Sequence, residues 1–87
     1  MSEIIVQKFG GTSVGSVERI DAVAEIIKNA SKTNSLVVVV SAMGGETNKL
    51  IELSKYFGED PDKREFDALV STGETVSSAL LAMALNS

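Results

Sequence analysis

The stretch Leu36-Val37-Val38-Val39-Val40 decides the fold, because it is apolar at every one of its positions. β-Branched residues favour a strand. Apolar side chains at successive positions, rather than alternate ones, predict a strand that is buried on both faces, as in a parallel sheet covered by helices. We therefore expect an α/β domain with a mainly parallel sheet.

The residues before this strand predict a strand–helix–strand unit. Glu3 to Phe9 is rich in β-branched residues and predicts a first strand. From Ser16, a suitable N-cap, the apolar period changes to about 3.6 residues, which predicts a helix. Its apolar face consists of Val17, Ile20, Val23, Ala24 and Ile27. Such a βαβ unit predicts parallel strands with a right-handed crossover.

Three more helices are predicted after the valine strand. The first runs from Glu46 to Phe57, with Leu50, Leu53 and Phe57 on its apolar face. A short helix runs from Asp62 to Val70, and Ser71 to Glu74 forms a polar break after it. The last helix carries an apolar face of Val76, Ala79, Leu80, Met83 and Ala84.

Two strands cannot surround Val37 to Val40 on both sides and both faces. The chain of 87 residues also stops directly behind an apolar helix. We therefore expect residues 1–87 to be the opening part of a larger α/β domain, a partial three-layer sandwich that folds only marginally by itself.

Composition excludes several classes of site and partner. The chain has no Cys and no His, which excludes disulfides, thiolate catalysis and histidine bases. Its formal net charge is −4 without a basic stripe, so we expect no nucleic-acid partner. The apolar runs Ile4–Val6 and Leu36–Val40 are too short to span a bilayer, and Met1-Ser2-Glu3 does not begin a signal peptide. We expect a cytoplasmic protein without membrane contact.

A glycine-rich turn, Lys8 to Gly15, follows the first predicted strand. It is not a Walker A loop, since Ser16 stands at the lysine position, and Thr12 breaks the dinucleotide fingerprint. Glycines let backbone N–H groups approach phosphate oxygens, and a lysine ammonium beside them suits a transferring phosphoryl group. The alternative is a tight turn with a solvated Lys8.

Two later polar segments are also candidates. Ser41 to Asn48 follows the second strand, so it leaves the same sheet edge as the first turn if the strands are parallel. Thr47 offers a hydroxyl to a ligand or, alternatively, caps a helix. Glu74 either binds a substrate ammonium group or complements a helix dipole as a first-turn acid. The acidic stretch Glu59 to Asp62 lacks calcium-loop spacing, and we predict no metal ligands in the chain.

Together, three segments resemble the N-terminal part of the aspartokinase family, within the amino-acid kinase superfamily. They are Val6 to Val14, Val38 to Met43 with Thr47-Asn48, and Ser71 to Glu74. The resemblance covers essentially the whole chain. It implies an α/β sandwich around a mainly parallel sheet of about eight strands, usually followed by regulatory ACT domains. Most of this sandwich and the ACT domains would lie beyond these residues.

The resemblance implies phosphoryl transfer from ATP to the β-carboxylate of L-aspartate, toward lysine, threonine, methionine and diaminopimelate. Lys8 is the implied catalytic charge stabiliser. The implied ATP-phosphate segment consists of Lys8, Phe9, Gly10, Gly11, Thr12 and Ser13, and the implied aspartate-contacting residues are Ser41, Thr47 and Glu74. Mg²⁺ is expected to be held mainly through the nucleotide phosphates. Because this is half of a site, we expect the chain alone to be inactive.

Three alternatives remain open. One is another amino-acid kinase, acting on acetylglutamate, glutamate, carbamate or a nucleotide monophosphate. The second is a bifunctional aspartokinase–homoserine dehydrogenase, which begins in the same way. The third is a non-catalytic folding or association module, because exposed strand edges and an apolar last helix favour self-association. For the intact enzyme we expect a homo-oligomer.

Overall fold

The two strands of this chain pair in parallel, and a helix connects them. The computed structural model describes residues 3–87, so the expectation drawn from Met1 and Ser2 lies outside the described residues. Along the chain lie β1 (Ile4–Phe9), α1 (Val17–Ala30), β2 (Ser35–Val40), α2 (Glu46–Ser54), a 3₁₀ turn (Lys55–Phe57) and α3 (Lys63–Leu85). The register runs from Ile4 opposite Ser35 to Phe9 opposite Val40. The predicted βαβ unit and the α/β class are confirmed.

The core lies between one face of the sheet and helices α1 and α3. The N-cap Ser16 accepts a hydrogen bond from the Arg19 amide at 3.2 Å, which starts α1 where predicted. The buried cluster consists of Val14, Ile20, Val23, Ala24, Ile27 and Leu81. Phe9, Leu36, Val38 and Val40 pack against it from the sheet. Val17, which was predicted on this face, is instead exposed at the first turn of α1.

The other face of the sheet is open, so burial of Val37 to Val40 on both faces is not seen within residues 3–87, where two strands cannot provide it. Side chains alternate between the faces of a strand, and only one face of β2 meets the core. On the open face Val6 is 65% exposed, Val37 49% and Val39 45%. Two of the three layers of the expected sandwich are therefore present, and the fold is partial.

Helix α2 begins at the predicted residue, Glu46, but its α-helical part ends at Ser54, before the predicted end at Phe57. It begins at Glu46 after Gly45, whose φ of 85° is a left-handed conformation that suits glycine. Thr47 is thus the second residue of the helix and not its N-cap. The α-helix ends at Ser54, and the face toward α3 carries half-buried Leu50 and buried Ser54, whereas Leu53 and Phe57 are exposed. The Ser54 hydroxyl can be buried there because it donates to the Ile51 carbonyl at 2.6 Å.

Helix α3 is continuous through the predicted break at Ser71 to Glu74. The polar residues fit inside it because their hydroxyls bond to its own carbonyls: Ser71 Oγ to Ala68 O at 2.9 Å and Thr72 Oγ1 to Leu69 O at 2.6 Å. The helix begins after the N-cap Asp62, which accepts from the Glu65 amide. Glu74 is therefore in mid-helix, and its interpretation as a first-turn acid is wrong.

The buried stripe of α3 consists of Gly73, Ser77 and Leu81. Much of the predicted apolar face points outward instead, with Val76 51% and Met83 68% exposed. By length and composition alone α3 could cross a membrane, with a mean hydropathy of 1.4 over its most apolar window. A core helix of a globular domain has the same properties, and α3 packs against α1, α2 and β2.

Candidate functional site

Both glycine loops leave the same edge of the sheet, as the sequence predicts. β1 and β2 end together, with Phe9 opposite Val40. The pairing extends one residue further, because the Ser41 amide donates to the Phe9 carbonyl at 3.0 Å. The carboxyl edge of an open α/β sheet is where ligands of such folds bind. We call this edge, with residues 8–15 and 41–47, the loop rim.

The two loops of the rim are in direct contact through glycines. A Cβ placed on Gly11 would lie 3.3 Å from the Ala42 carbonyl oxygen and 3.6 Å from the Gly44 Cα. A Cβ on Gly44 would lie 3.3 Å from the Gly11 carbonyl oxygen. The 3.3 Å distances are tighter than most Cβ contacts and the 3.6 Å distance is ordinary van der Waals contact, so glycines at both positions let the two backbones approach closely.

The first loop is anchored on one side and leaves its amides unpaired on the other. Val14 is fully buried in the core, and its amide donates to the Gly10 carbonyl at 3.2 Å. Within the described residues, the amides of Gly11, Thr12 and Ser13 donate to no acceptor. Successive free N–H groups between a strand and a helix form a concavity suited to an anion.

Lys8 lies at this rim on the open face of the sheet. It is the last but one residue of β1, opposite Val39, and its side chain is exposed. The ion pairs among the described residues are Lys28–Glu25 and Lys55–Glu52, so the Lys8 ammonium is not engaged by a carboxylate there. An anion that reaches this ammonium would not have to displace a carboxylate of the described residues first.

The second loop is held from both sides at Ser41. Its amide bonds to β1, and its carbonyl accepts a 2.6 Å hydrogen bond from the Ser77 hydroxyl of α3. No described residue bonds to the hydroxyls of Ser41 and Thr47. Both hydroxyls therefore stay available to a ligand.

The place of Glu74 in the site follows from the packing of its neighbour, Gly73. A Cβ on Gly73 would lie 3.0 Å from the Ala42 Cβ and 4.0 Å from the Glu46 Cβ, so this turn of α3 packs on the second loop and on the start of α2. Glu74 is exposed and forms no ion pair with a described residue. Ser41, Thr47 and Glu74 thus lie on three elements that meet at one junction.

Two residues of this junction, Ala42 and Ser77, were not identified from the sequence. Ala42 is 5% exposed and contacts both Gly11 and Gly73, and Ser77 is fully buried. The spacing of Gly73 and Ser77, one helical turn apart, is a signal for close packing that could have indicated the second of them.

The site is an open rim and not an enclosed pocket. A cavity of about 380 Å³ lies between α2 and the start of α3, beside Ile51, Pro61 and Phe66. Another, of about 690 Å³, lies beside Leu53, Tyr56 and Phe57. Neither includes a predicted site residue. A third cavity, of about 220 Å³, lies between the first loop and α1 and is lined by the predicted site residues Phe9 and Ser13.

Comparisons with known proteins show which family this chain resembles. The sequence matches the amino acid kinase family over residues 3–87. It is 63% identical over 83 residues to an aspartate kinase of Stutzerimonas stutzeri, covering 94% of this chain and 20% of the relative. It is 61% identical over 84 residues to an aspartokinase of Geobacillus stearothermophilus, covering 95% of this chain and 21% of the relative.

A solved structure also resembles this chain. The crystal structure of an aspartate kinase from Synechocystis superposes with a TM-score of 0.92 at 60% identity, over 95% of this chain and 14% of that one. The resemblance to aspartokinases is thus confirmed, although the chain spans only about a fifth of the length of the curated relatives named above. The match over residues 3–87 shows that the chain belongs to the amino acid kinase family.

Proposed function

We propose that this chain supplies the phosphate-binding and acceptor-binding half of an active site that transfers the γ-phosphoryl group of ATP to the β-carboxylate of L-aspartate. The observation that carries the proposal is the contact of Gly11 with Gly44, which joins two ligand-ready loops at one sheet edge. The similarity to aspartate kinases supports the choice of acceptor. We take residues 1–87 as one portion of the catalytic domain.

On the phosphate side, the segment Lys8 to Ser13 would receive the nucleotide phosphates. The free amides of Gly11, Thr12 and Ser13 supply neutral donors, and the Lys8 ammonium supplies the positive charge. Groups fixed before the reaction stabilise the charge that builds up on the transferring phosphoryl group without reorganisation.

On the acceptor side, Ser41, Thr47 and Glu74 would hold aspartate. The Glu74 carboxylate would pair with its ammonium group, and the two hydroxyls would donate to its carboxylate oxygens. Since a β-carboxylate is already ionised at neutral pH, no histidine base is needed. The protein then contributes mainly alignment of the two substrates.

The described residues are compatible with a metal ion that binds mainly through the nucleotide phosphates. Among residues 3–87 no group of three carboxylates is placed to hold an ion, and the amides described above suit phosphate oxygens. Mg²⁺ commonly binds through substrate phosphates with few protein ligands. When bound, it would neutralise phosphate charge.

The transfer is balanced without any further reactant. A β-carboxylate oxygen of aspartate forms a bond to the γ-phosphorus, and the bond from that phosphorus to the bridging oxygen breaks. The products are 4-phospho-L-aspartate and ADP, whose leaving oxygen carries the electron pair. We place this reaction in the cytoplasm, in a homo-oligomeric enzyme.

The test is an acceptor comparison with the gene product that carries this sequence. ADP release is measured with L-aspartate, glutamate, acetylglutamate and carbamate, and hydroxylamine traps any acyl phosphate as a hydroxamate. We expect ADP and hydroxamate in equal amounts with aspartate only. Turnover with a different acceptor would assign another activity of the family. Self-association in sedimentation without any ATP affinity in calorimetry would instead indicate an association module.

A further inference from the structure

The Ser77 hydroxyl forms a tertiary hydrogen bond that the proposed chemistry does not use directly. Ser77 is 0% exposed, and its Oγ donates to the carbonyl oxygen of Ser41, 36 residues away, at 2.6 Å. The Glu74 carbonyl lies within 3.1 Å of the same hydroxyl. A serine hydroxyl has one proton to donate, so the shorter contact, to the loop, is the stronger one.

This bond differs from those of the other hydroxyls on α3. Ser71, Thr72 and Thr75 all bond to carbonyls of their own helix, at Ala68, Leu69 and Ser71. Such bonds satisfy the hydroxyl locally and connect α3 to nothing else. The bond of Ser77 instead links α3 to the loop after β2, and removing a buried donor leaves its acceptor unsatisfied.

A second anchor lies one turn earlier on the same stripe. Gly73 packs on Ala42 so closely that a Cβ would come within 3.0 Å of the alanine Cβ. The steric contact at Gly73 fixes the separation of helix and loop, and the hydrogen bond at Ser77 fixes the position of α3 along and around its axis. Glu74 lies between these two anchors, so its Cα has little freedom relative to Ser41.

We propose that Ser77 is a positioning residue of the acceptor site: its buried hydroxyl holds α3 against the Ser41 carbonyl and so sets where the Glu74 carboxylate meets the acceptor. This rests on the proposed function. The first glycine loop meets this junction only indirectly, through the contact of Gly11 with Ala42 and through Val14, which shares the core cluster with Leu81 of α3. The Ser77 bond itself goes to the acceptor loop, so we expect its loss to affect the acceptor more strongly than ATP.

The test measures the KM values for both substrates in the gene product that carries this sequence. For Ser77→Ala we expect the KM for aspartate to rise roughly tenfold, the size expected for one lost buried hydrogen bond, with the KM for ATP within about twofold of the parent. The matched control is Ser78→Ala, since Ser78 is adjacent and exposed and its hydroxyl has no hydrogen-bond partner among the described residues. We expect both of its KM values to be unchanged.

A second pair of variants tests the same inference by rescue. Gly73→Ala adds a methyl group that must push α3 away from Ala42, so we expect it also to raise the KM for aspartate. Ala42→Gly on that background removes the opposing methyl group and should lower the KM again. This pair gives a result even if Ser77→Ala does not fold.

The outcomes separate the inference from the proposed function. If Ser77→Ala raises both KM values equally, or if the methyl exchange brings no rescue, Ser77 is only structural and the inference is wrong. If Glu74→Gln raises the KM for aspartate while Ser77→Ala and Gly73→Ala do not, the inference about Ser77 is wrong, whereas the proposed binding of aspartate by Glu74 is retained. If aspartate is not a substrate at all, the proposed function itself fails.

Discussion

Gly11 and Gly44 touch backbone to backbone across the loop rim. A Cβ on Gly44 would come within 3.3 Å of the Gly11 carbonyl oxygen, and one on Gly11 would come within 3.6 Å of the Gly44 Cα. The loop proposed for the nucleotide and the loop proposed for the acceptor thus share a contact surface. A displacement of either backbone must be accommodated by the other.

Gly11→Ala should destabilise the chain by about 1–2 kcal/mol, because its methyl group would press on the Ala42 carbonyl. Gly10→Ala is the matched control, since a Cβ at Gly10 meets nothing within 4 Å. Urea unfolding followed by circular dichroism measures both. Equal stabilities of the two variants would show that the loops do not pack as described.

Lys8→Met should lower kcat by roughly 100-fold or more, the loss typical of one group that stabilises transition-state charge. The melting temperature should hardly change, because the Lys8 side chain is exposed and unpaired in the described part of the chain. Initial rates at saturating ATP and thermal unfolding measure the two effects. Lys32→Met, in the exposed turn after α1, is the control, with kcat expected at the parent level. Parallel losses of activity and stability in Lys8→Met would contradict a catalytic role.

Glu74→Gln should raise the KM for aspartate about tenfold or more, since it removes the charge proposed to meet the substrate ammonium group. The KM for ATP should stay within about twofold. Asp67→Asn removes an exposed carboxylate from the same helix, two turns earlier, and should change neither value. An effect of Glu74→Gln confined to ATP would mean that this residue faces the nucleotide.

Val38→Asp should destabilise the chain by roughly 2–4 kcal/mol and abolish its cooperative unfolding, because Val38 packs on the core cluster. Val39→Asp should be tolerated far better, since Val39 is 45% exposed on the open face and lies opposite Lys8. Denaturant titration of the two single variants measures the difference. If Val39→Asp were as damaging as Val38→Asp, the sheet would not have one open face in solution.

The sequence predicts the βαβ unit and the common edge of the two loops because these depend on local signals. The alternation of strand, glycine turn and helix is explicit from Glu3 to Val40, and parallel pairing follows from the connecting helix. The capping of α1 by Ser16 is equally local.

The errors arose where the surroundings of a residue, within its own helix or across the fold, override its local preference. Ser71, Thr72 and Gly73 read as a helix break, but two of them bond to their own helix and the third packs on Ala42. A local sequence pattern does not show that Gly73 packs on Ala42, 31 positions earlier in the chain. The same holds for Ser77, whose acceptor lies in another element.

The free edges of the sheet have a practical consequence for anyone handling the 87 residues by themselves. In the part of the chain that the structure describes, β1 and β2 pair only with each other, so each keeps one row of amide and carbonyl groups without a strand partner. Unpaired edges of apolar strands can template β-pairing with another chain. Concentrated samples should therefore slowly form thioflavin-binding fibrils, and a lysine on the border of β2 should delay their appearance.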